Sequence, residues 1–280
     1  MRDKCKLSQV VLLTKSYNIQ DFKDWLHWHL DIIGFDCAHI FDNESSVDIA
    51  SVCKSYGDRV TYERVCGFPK QYELYNRYIN NDSPAWWVFP IDDDEYLYIS
   101  DVYNHRINDF LLEMHRKNPR WTKICVGWRN LFPLHYTKDR VNVHRVLNAT
   151  GWSNEASALW QAGNRPVKTM VKTTHKYEWS DRLGHHTHDP LIDGEPMNGY
   201  TLDGNVVYNS WQKKPTSSTV DIVLFHYQFV SDSEWEYKCQ KRKSAATKRD
   251  WKNHPEIFAK LYHYHIKEDT RASVLWNNHK

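Results

Sequence analysis

Over the first hundred residues, short apolar runs alternate with amphipathic stretches, and the apolar runs end in polar residues. Residues 9–14 form a compact apolar run of the kind a buried parallel strand needs. Residues 20–33 follow as a predicted helix, because Phe22, Trp25, Leu26, Leu30 and Ile33 recur at three- and four-residue steps and share a face. Gly34 ends it as a C-cap glycine. Residues 37–41, 60–64 and 86–91 read as further strands, with helices over 47–55 and 71–79 between them. This alternation implies βαβ units: an α/β, Rossmann-like, mostly parallel sheet with helices on both faces. In such sheets ligands sit beyond the carboxyl ends of the strands. The residues to inspect are therefore Thr14-Lys15, Asp42-Asn43 and the acidic run Asp92, Asp93, Asp94 and Glu95. Pro90 conflicts with a central strand, since proline cannot donate to a ladder, and implies a local distortion or an edge.

The 280 residues suffice for one large domain. Three regions are expected within it: a nucleotide-sugar-binding half over 1–127, an acceptor-side half over 128–230 and a basic helical tail over 231–280. The second half is loop-rich, with strands expected at 123–127 and 222–227. In the tail, Ser231 with Glu234 and Ser233 with Glu236 have capping-box spacing. A net charge of +2 gives no general attraction to nucleic acid or anionic membrane. The six cysteines contain no Cys-x-x-Cys pair, which argues against structural zinc and for reduced thiols. No stretch approaches the roughly 18 apolar residues of a membrane span, and the run at 10–13 is too short for a signal peptide. A cytoplasmic protein is expected, in which the sequons at Asn43, Asn81 and Asn148 carry no glycan. The 13 Trp and 17 Tyr have two readings, bulky core packing for most and sugar or base stacking for a few.

Four successive carboxylates at a strand end repel one another, and a hard divalent cation, Mn²⁺ or Mg²⁺, removes that penalty. If the segment is extended, Asp92 and Asp94 point to one side and share the metal or its ligand, while Asp93 faces away. The metal would bridge a diphosphate and neutralise charge as a nucleotide leaves.

These features carry a resemblance. Thr14-Lys15-Ser16, the Trp25-Leu26-His27-Trp28-His29 segment, Gly34-Phe35, Phe41-Asp42-Asn43-Glu44-Ser45-Ser46, Gln71 with Tyr75-Asn76, and residues 87–97 resemble the GT-A glycosyltransferases of the family 2 and family 92 type. The look is also similar to small enzymes of this kind encoded by large algal viruses. Lys168 resembles a basic position of that family, and Leu224-Phe225-His226-Tyr227 its terminal His-Tyr segment. The resemblance implies a nucleotide-sugar donor, UDP by default, and a carbohydrate or glycoprotein acceptor. Thr14, Lys15, and Asp42 or Asn43 would meet the base. Gln71 would lie near the donor, grouped with Asp92 and Asp93. Asp92 would hold the ribose or the metal, and Asp94 the metal. His226 would complete the metal shell, with His188 as its competitor, and Lys168, Lys238 and Arg242 would neutralise the diphosphate. Ser16-Tyr17 departs from the family's Asn-Glu.

An inverting reaction needs a carboxylate base for the acceptor hydroxyl. Glu155, Asp189 and Asp193 are the candidates, and spacing does not separate them. Two other readings remain. A sugar-phosphate nucleotidyltransferase would want a glycine-rich phosphate loop after the first strand. A non-catalytic carbohydrate-binding module would use the Trp-rich half.

Overall fold

In the computed structural model, the described residues are 5–67, 71–133, 150–153, 167–179, 190–194, 199–200, 206–207, 221–227 and 266–279. The chain begins with β1 (Lys6–Thr14), α1 (Ile19–Leu26), β2 (Cys37–Asn43), α2 (Ile49–Ser55), β3 (Val60–Val65), α3 (Gln71–Asn81), β4 (Ala85–Pro90) and β5 (Glu95–Ile99). It continues with α4 (Ile107–Lys117), β6 (Lys123–Asn130), β7 (Phe132–Pro133), β8 (Thr150–Ser153), β9 (Val167–Lys172), β10 (Tyr177–Glu178) and β11 (Leu191–Ile192). β12 (Gly199–Tyr200), β13 (Val206–Val207), β14 (Ile222–His226), β15 (Ile266–Glu268) and the C-terminal helix α5 (Arg271–Asn277) complete it.

Among the described residues ten strands form the main sheet, with a path β13-β12-β6-β9-β4-β1-β2-β3. The strands β3, β2, β1 and β4 are mutually parallel. β9 is inserted antiparallel between β4 and β6. From β6 the sheet branches: β14 lies parallel to β6 and antiparallel to β5. The sheet is the expected mostly parallel one, and helices cover both faces. On one face Val10 and Leu12 of β1 pack with Trp25, Leu26, Ile49 and Phe110 of α1, α2 and α4. On the other, Val11 packs with Tyr75, Tyr78 and Ile79 of α3. The period-2 alternation of one strand thus joins two cores.

Two local features differ from the sequence reading. The helix over 20–33 is not uniform: after α1, residues His27–Ile32 form a π-helical turn, in which Ile33 N–H donates to Trp28 O at 2.8 Å. The extra residue per turn widens the buried face, and Trp25, Leu26, Trp28, His29, Leu30 and Ile32 are all buried. Gly34 then turns the chain at φ +79°, a conformation that favours glycine. Pro90 marks no sheet edge. Ile91 N–H donates to Val11 O, so the Pro90 nitrogen faces the other side, where the β4 ladder to β9 ends at Val88. No hydrogen bond is lost there.

The C-terminal segment returns to the core. Arg129 and Arg271 both reach the buried Asp269, at 3.2 and 2.7 Å. Trp276 of α5 stacks on Trp28 with ring centroids 6.2 Å apart. Of the expected helical tail, residues 231–265 lie outside the described residues. Among the described residues no helix is long and apolar enough to cross a membrane.

Candidate functional site

The carboxyl ends of β1, β2 and β4 meet at one edge of the sheet, and polar groups from α3, β9 and β14 converge on it. The two loops after β1 and β2 are stitched together: Ser16 N–H donates to Ser45 Oγ at 2.8 Å, and Ser46 N–H to Ser16 O at 2.9 Å.

The acidic run does not continue β4 in extended form. It is a tight turn in which Glu95 N–H donates to Asp92 O at 3.1 Å. The turn replaces the extended chain on which the expected alternation of Asp92, Asp93 and Asp94 rests. Asp92 is half-buried and accepts from Lys168 Nζ at 2.8 Å and Gln71 Nε2 at 3.0 Å. Asp93, expected to face away, accepts from Thr14 Oγ1 at 2.7 Å and ties the end of β1 to the turn. Asp94 Oδ1 lies 3.6 Å from His226 Nε2. Tyr227 N–H donates to Asp94 O at 2.8 Å, which anchors the turn to the end of β14.

The aromatic helix segment supports this turn from below. Trp25 Nε1 donates to Asp92 O at 3.0 Å, and Trp28 Nε1 to Leu97 O at 2.7 Å. His29 Nδ1 lies 2.9 Å from Trp25 O, and Leu97 N–H approaches its Nε2 at 3.4 Å. Full burial lowers His29 to about 3, so the imidazole is neutral and can accept that N–H. Trp25 at the end of α1, and Trp28 and His29 in the π-helical turn, thus all reach residues 92–97.

Lys168 is the clearest departure from the expected roles. As a diphosphate contact it would need an exposed ammonium, yet its side chain has 0% exposure. It pairs instead with Asp92 and, at 3.0 Å, with the equally buried Glu95. Burial alone would lower Lys168, but Asp92 and Glu95 beside it raise it well above the usual lysine range. Burial pushes the Glu95 carboxyl up to about 7, against the pull of Lys168. Glu95 also accepts Asp92 N–H at 2.8 Å. Its part in the site was missed; the signal was its place three residues after Asp92, the spacing that closes a turn.

At the end of β2, Asp42 is buried with both oxygens engaged, by Ser45 N–H at 2.8 Å and Tyr62 Oη at 2.7 Å. It shapes the loop; Thr14 is buried with its hydroxyl on Asp93, while Lys15 and Asn43 are half-buried at the strand ends. Gln71 Nε2 also donates to Tyr75 Oη at 2.8 Å, linking α3 to Asp92. Asp193 sits in an exposed turn just after β11, where it accepts from Lys176 N–H at 3.1 Å and lies 3.0 Å from His175 Nδ1. Glu155, Asp189, His188, Lys238 and Arg242 lie outside the described residues.

Among the described residues no group of three His, Cys, Asp or Glu side chains converges as a ready metal site. Asp94 with His226 is the pair that fits one: their 3.6 Å separation is one that a cation at ~2.1 Å from each can bridge.

No protein-family model matches the chain, and no curated protein matches it. Among solved structures, S. aureus TarS 1-349 in complex with UDP aligns over 60% of this chain and 47% of that one, at 11% identity and a TM-score of 0.33. A mycobacterial protein aligns over 45% of this chain and 42% of its own, at 17% identity and a TM-score of 0.31. The 4-diphosphocytidyl-2C-methyl-D-erythritol synthase from Anaerococcus prevotii aligns over 49% and 59%, at 9% identity and a TM-score of 0.29. The chain thus spans less than two thirds of each of these proteins, and likeness at this level carries no functional argument. What the site can do rests on its own geometry.

Proposed function

We propose that this chain is a metal-dependent glycosyltransferase of the GT-A type, taking a sugar from a nucleotide-sugar donor, UDP-linked by default. The observation that carries the reading is the convergence on residues 92–95. Thr14 from β1, Gln71 from α3, Lys168 from β9 and His226 from β14 each reach one of its four carboxylates. Such a site lies where an open α/β sheet binds ligands. The acceptor is a carbohydrate or glycoprotein, and the protein works in the cytoplasm.

In this reading Thr14, Lys15 and Asn43 border the nucleoside. Thr14 also holds Asp93 still, and Gln71 with Lys168 holds Asp92, leaving its remaining acceptor capacity for a ribose hydroxyl. Asp94 and His226 would hold Mn²⁺ or Mg²⁺, which supplies charge neutralisation of the departing diphosphate. Trp25, Trp28 and His29 keep the turn rigid, as a preorganised site requires. In an inverting reaction, Glu155 or Asp189 takes the acceptor proton.

A nucleotidyltransferase would cradle phosphates on a glycine-rich loop after β1, and Thr14-Lys15-Ser16-Tyr17 contains no glycine. The test is a screen of UDP- and GDP-sugars for Mn²⁺-dependent hydrolysis. Release of nucleoside diphosphate that stops in Asp94→Ala supports the proposal. Absence of turnover with every donor and acceptor tried contradicts it.

A further inference from the structure

Strand β5, which follows the acidic turn, is held from two sides. One side is its ladder to β14. On the other, Leu97 O accepts Trp28 Nε1 at 2.7 Å, and Leu97 N–H approaches His29 Nε2 at 3.4 Å. Trp276 of α5 steadies the Trp28 indole, stacked on it at an interplanar angle of 18°. Trp28 in turn meets Tyr96 edge-on, and Tyr96 meets Tyr227, whose N–H anchors Asp94 O. A second path runs through Arg271. In the β5–β14 ladder Glu95 stands opposite His226 and Tyr96 opposite Phe225. Glu95 and His226 therefore share one face of the seam, and Tyr96, Tyr98 and Phe225 share the other. The Arg271 guanidinium lies on that second face, 5.1 Å from the Tyr98 ring centre and 5.3 Å from that of Phe225. It thus spans both strands and rests on the residue before His226.

Asp269 fixes Arg271, whose Nε and Nη2 donate to its two oxygens at 2.9 and 2.7 Å, and Arg129 of β6 joins them at 3.2 Å. A planar guanidinium can grip a carboxylate with its edge and lie on rings with its face, which an ammonium cannot do. We propose that the C-terminal segment 269–276 braces the seam between β5 and β14, with Arg271 and Trp276 as positioning residues for His226 and Asp94. The inference rests on the glycosyltransferase reading and gives the C-terminal helix a part in it. A site built from side chains at the ends of two strands works only if those strands keep their offset to within about 0.5 Å. The brace sets that offset from the face opposite Glu95 and His226. Thr14, Lys15 and Asn43, which border the nucleoside in this reading, lie at the ends of β1 and β2 instead. Loosening the brace therefore slows departure of the diphosphate more than it weakens donor binding.

The test combines amide hydrogen exchange, followed by NMR, with donor hydrolysis in the full chain carrying Arg271→Lys, Trp276→Ala or Trp276→Phe. In Arg271→Lys and Trp276→Ala, exchange at Tyr227 and along residues 95–99 should quicken at least ~10-fold, while residues 10–13 of β1 and 38–41 of β2 stay within ~2-fold. With Mn²⁺ and the UDP- or GDP-sugar that the wild type hydrolyses, kcat should fall at least ~10-fold and KM should stay within ~3-fold. Trp276→Phe keeps a ring on Trp28 and should restore both readouts to within ~3-fold of the wild type. If circular dichroism shows that Trp276→Ala does not fold, Arg271→Lys carries the comparison. Exchange that quickens equally in β1 and β2, or that is unchanged at Tyr227, overturns the brace. Local quickening with kcat unchanged overturns the positioning role. Local quickening in a protein whose wild type hydrolyses no donor supports the brace and contradicts the functional reading.

Discussion

The Lys168 ammonium lies 2.8 Å from Asp92 and 3.0 Å from Glu95, with no exposure to solvent. Removing one partner of such a buried pair leaves an uncompensated charge. Lys168→Met should cost about 3–5 kcal/mol of stability. Lys168→Met/Glu95→Gln should recover at least half of that loss. Urea denaturation of the three proteins measures both values.

Two buried histidines make stability fall with acid. Burial lowers both His29 and His39 to about 3, and Arg77 adds to the effect at His39. Their pKa values are depressed relative to the unfolded chain, where histidine titrates near ~6.5. The unfolded state therefore binds more protons between about pH 6.5 and 3, and stability is lost as pH falls through that window. Each histidine contributes a slope approaching ~1.4 kcal/mol per pH unit. His39→Gln should roughly halve the combined slope, read from denaturation midpoints at pH 7, 6 and 5.

Helix α3 holds the strand after β9 through two asparagines. Asn76 and Asn80 each exchange a pair of hydrogen bonds with the backbone, of Trp179 and Tyr177 respectively. Asn76→Ala or Asn80→Ala leaves a buried N–H and C=O without partners, at a cost of about 1–3 kcal/mol. Asn76→Asp should cost a similar amount, because a carboxylate cannot donate to Trp179 O. Thermal unfolding monitored by circular dichroism checks the series.

Trp25→Phe removes the donor to Asp92 O while keeping most of the apolar volume. The expected loss of stability is about 1–2 kcal/mol. UDP binding in the presence of Mn²⁺ should weaken as well, because the turn loosens. Trp28→Phe, whose lost bond is to Leu97 O, should reduce stability similarly with a smaller effect on UDP binding.

What was legible in the sequence follows from local rules. β1 to β4 and their helices stood out because apolar runs and helical periodicity are local, and the strand-end position of Asp92 and Asp94 came with them. What was hidden is non-local. The turn at 92–95 depends on Glu95 folding back on Asp92, which overrides the alternation expected of an extended chain. The burial of Lys168 depends on β9 entering between β4 and β6, and nothing local in residues 167–172 signals that insertion. The π-helical turn leaves no periodic mark over six residues. Its purpose is visible only once Trp25, Trp28 and His29 are seen against residues 92–97. The pairings of β10 to β13 involve two residues each, too short for any pattern.

The central claim is that the acidic turn, through Asp94, holds a metal-bound nucleoside diphosphate. Thermal unfolding with UDP, Mn²⁺, both or neither tests it most directly. With both at saturating levels, a midpoint rise of about 5 °C is expected, greater than with either alone. Asp94→Ala should fold and show no such rise. A midpoint unmoved by UDP, GDP or CDP with Mn²⁺, or a rise that persists in Asp94→Ala, would contradict the account.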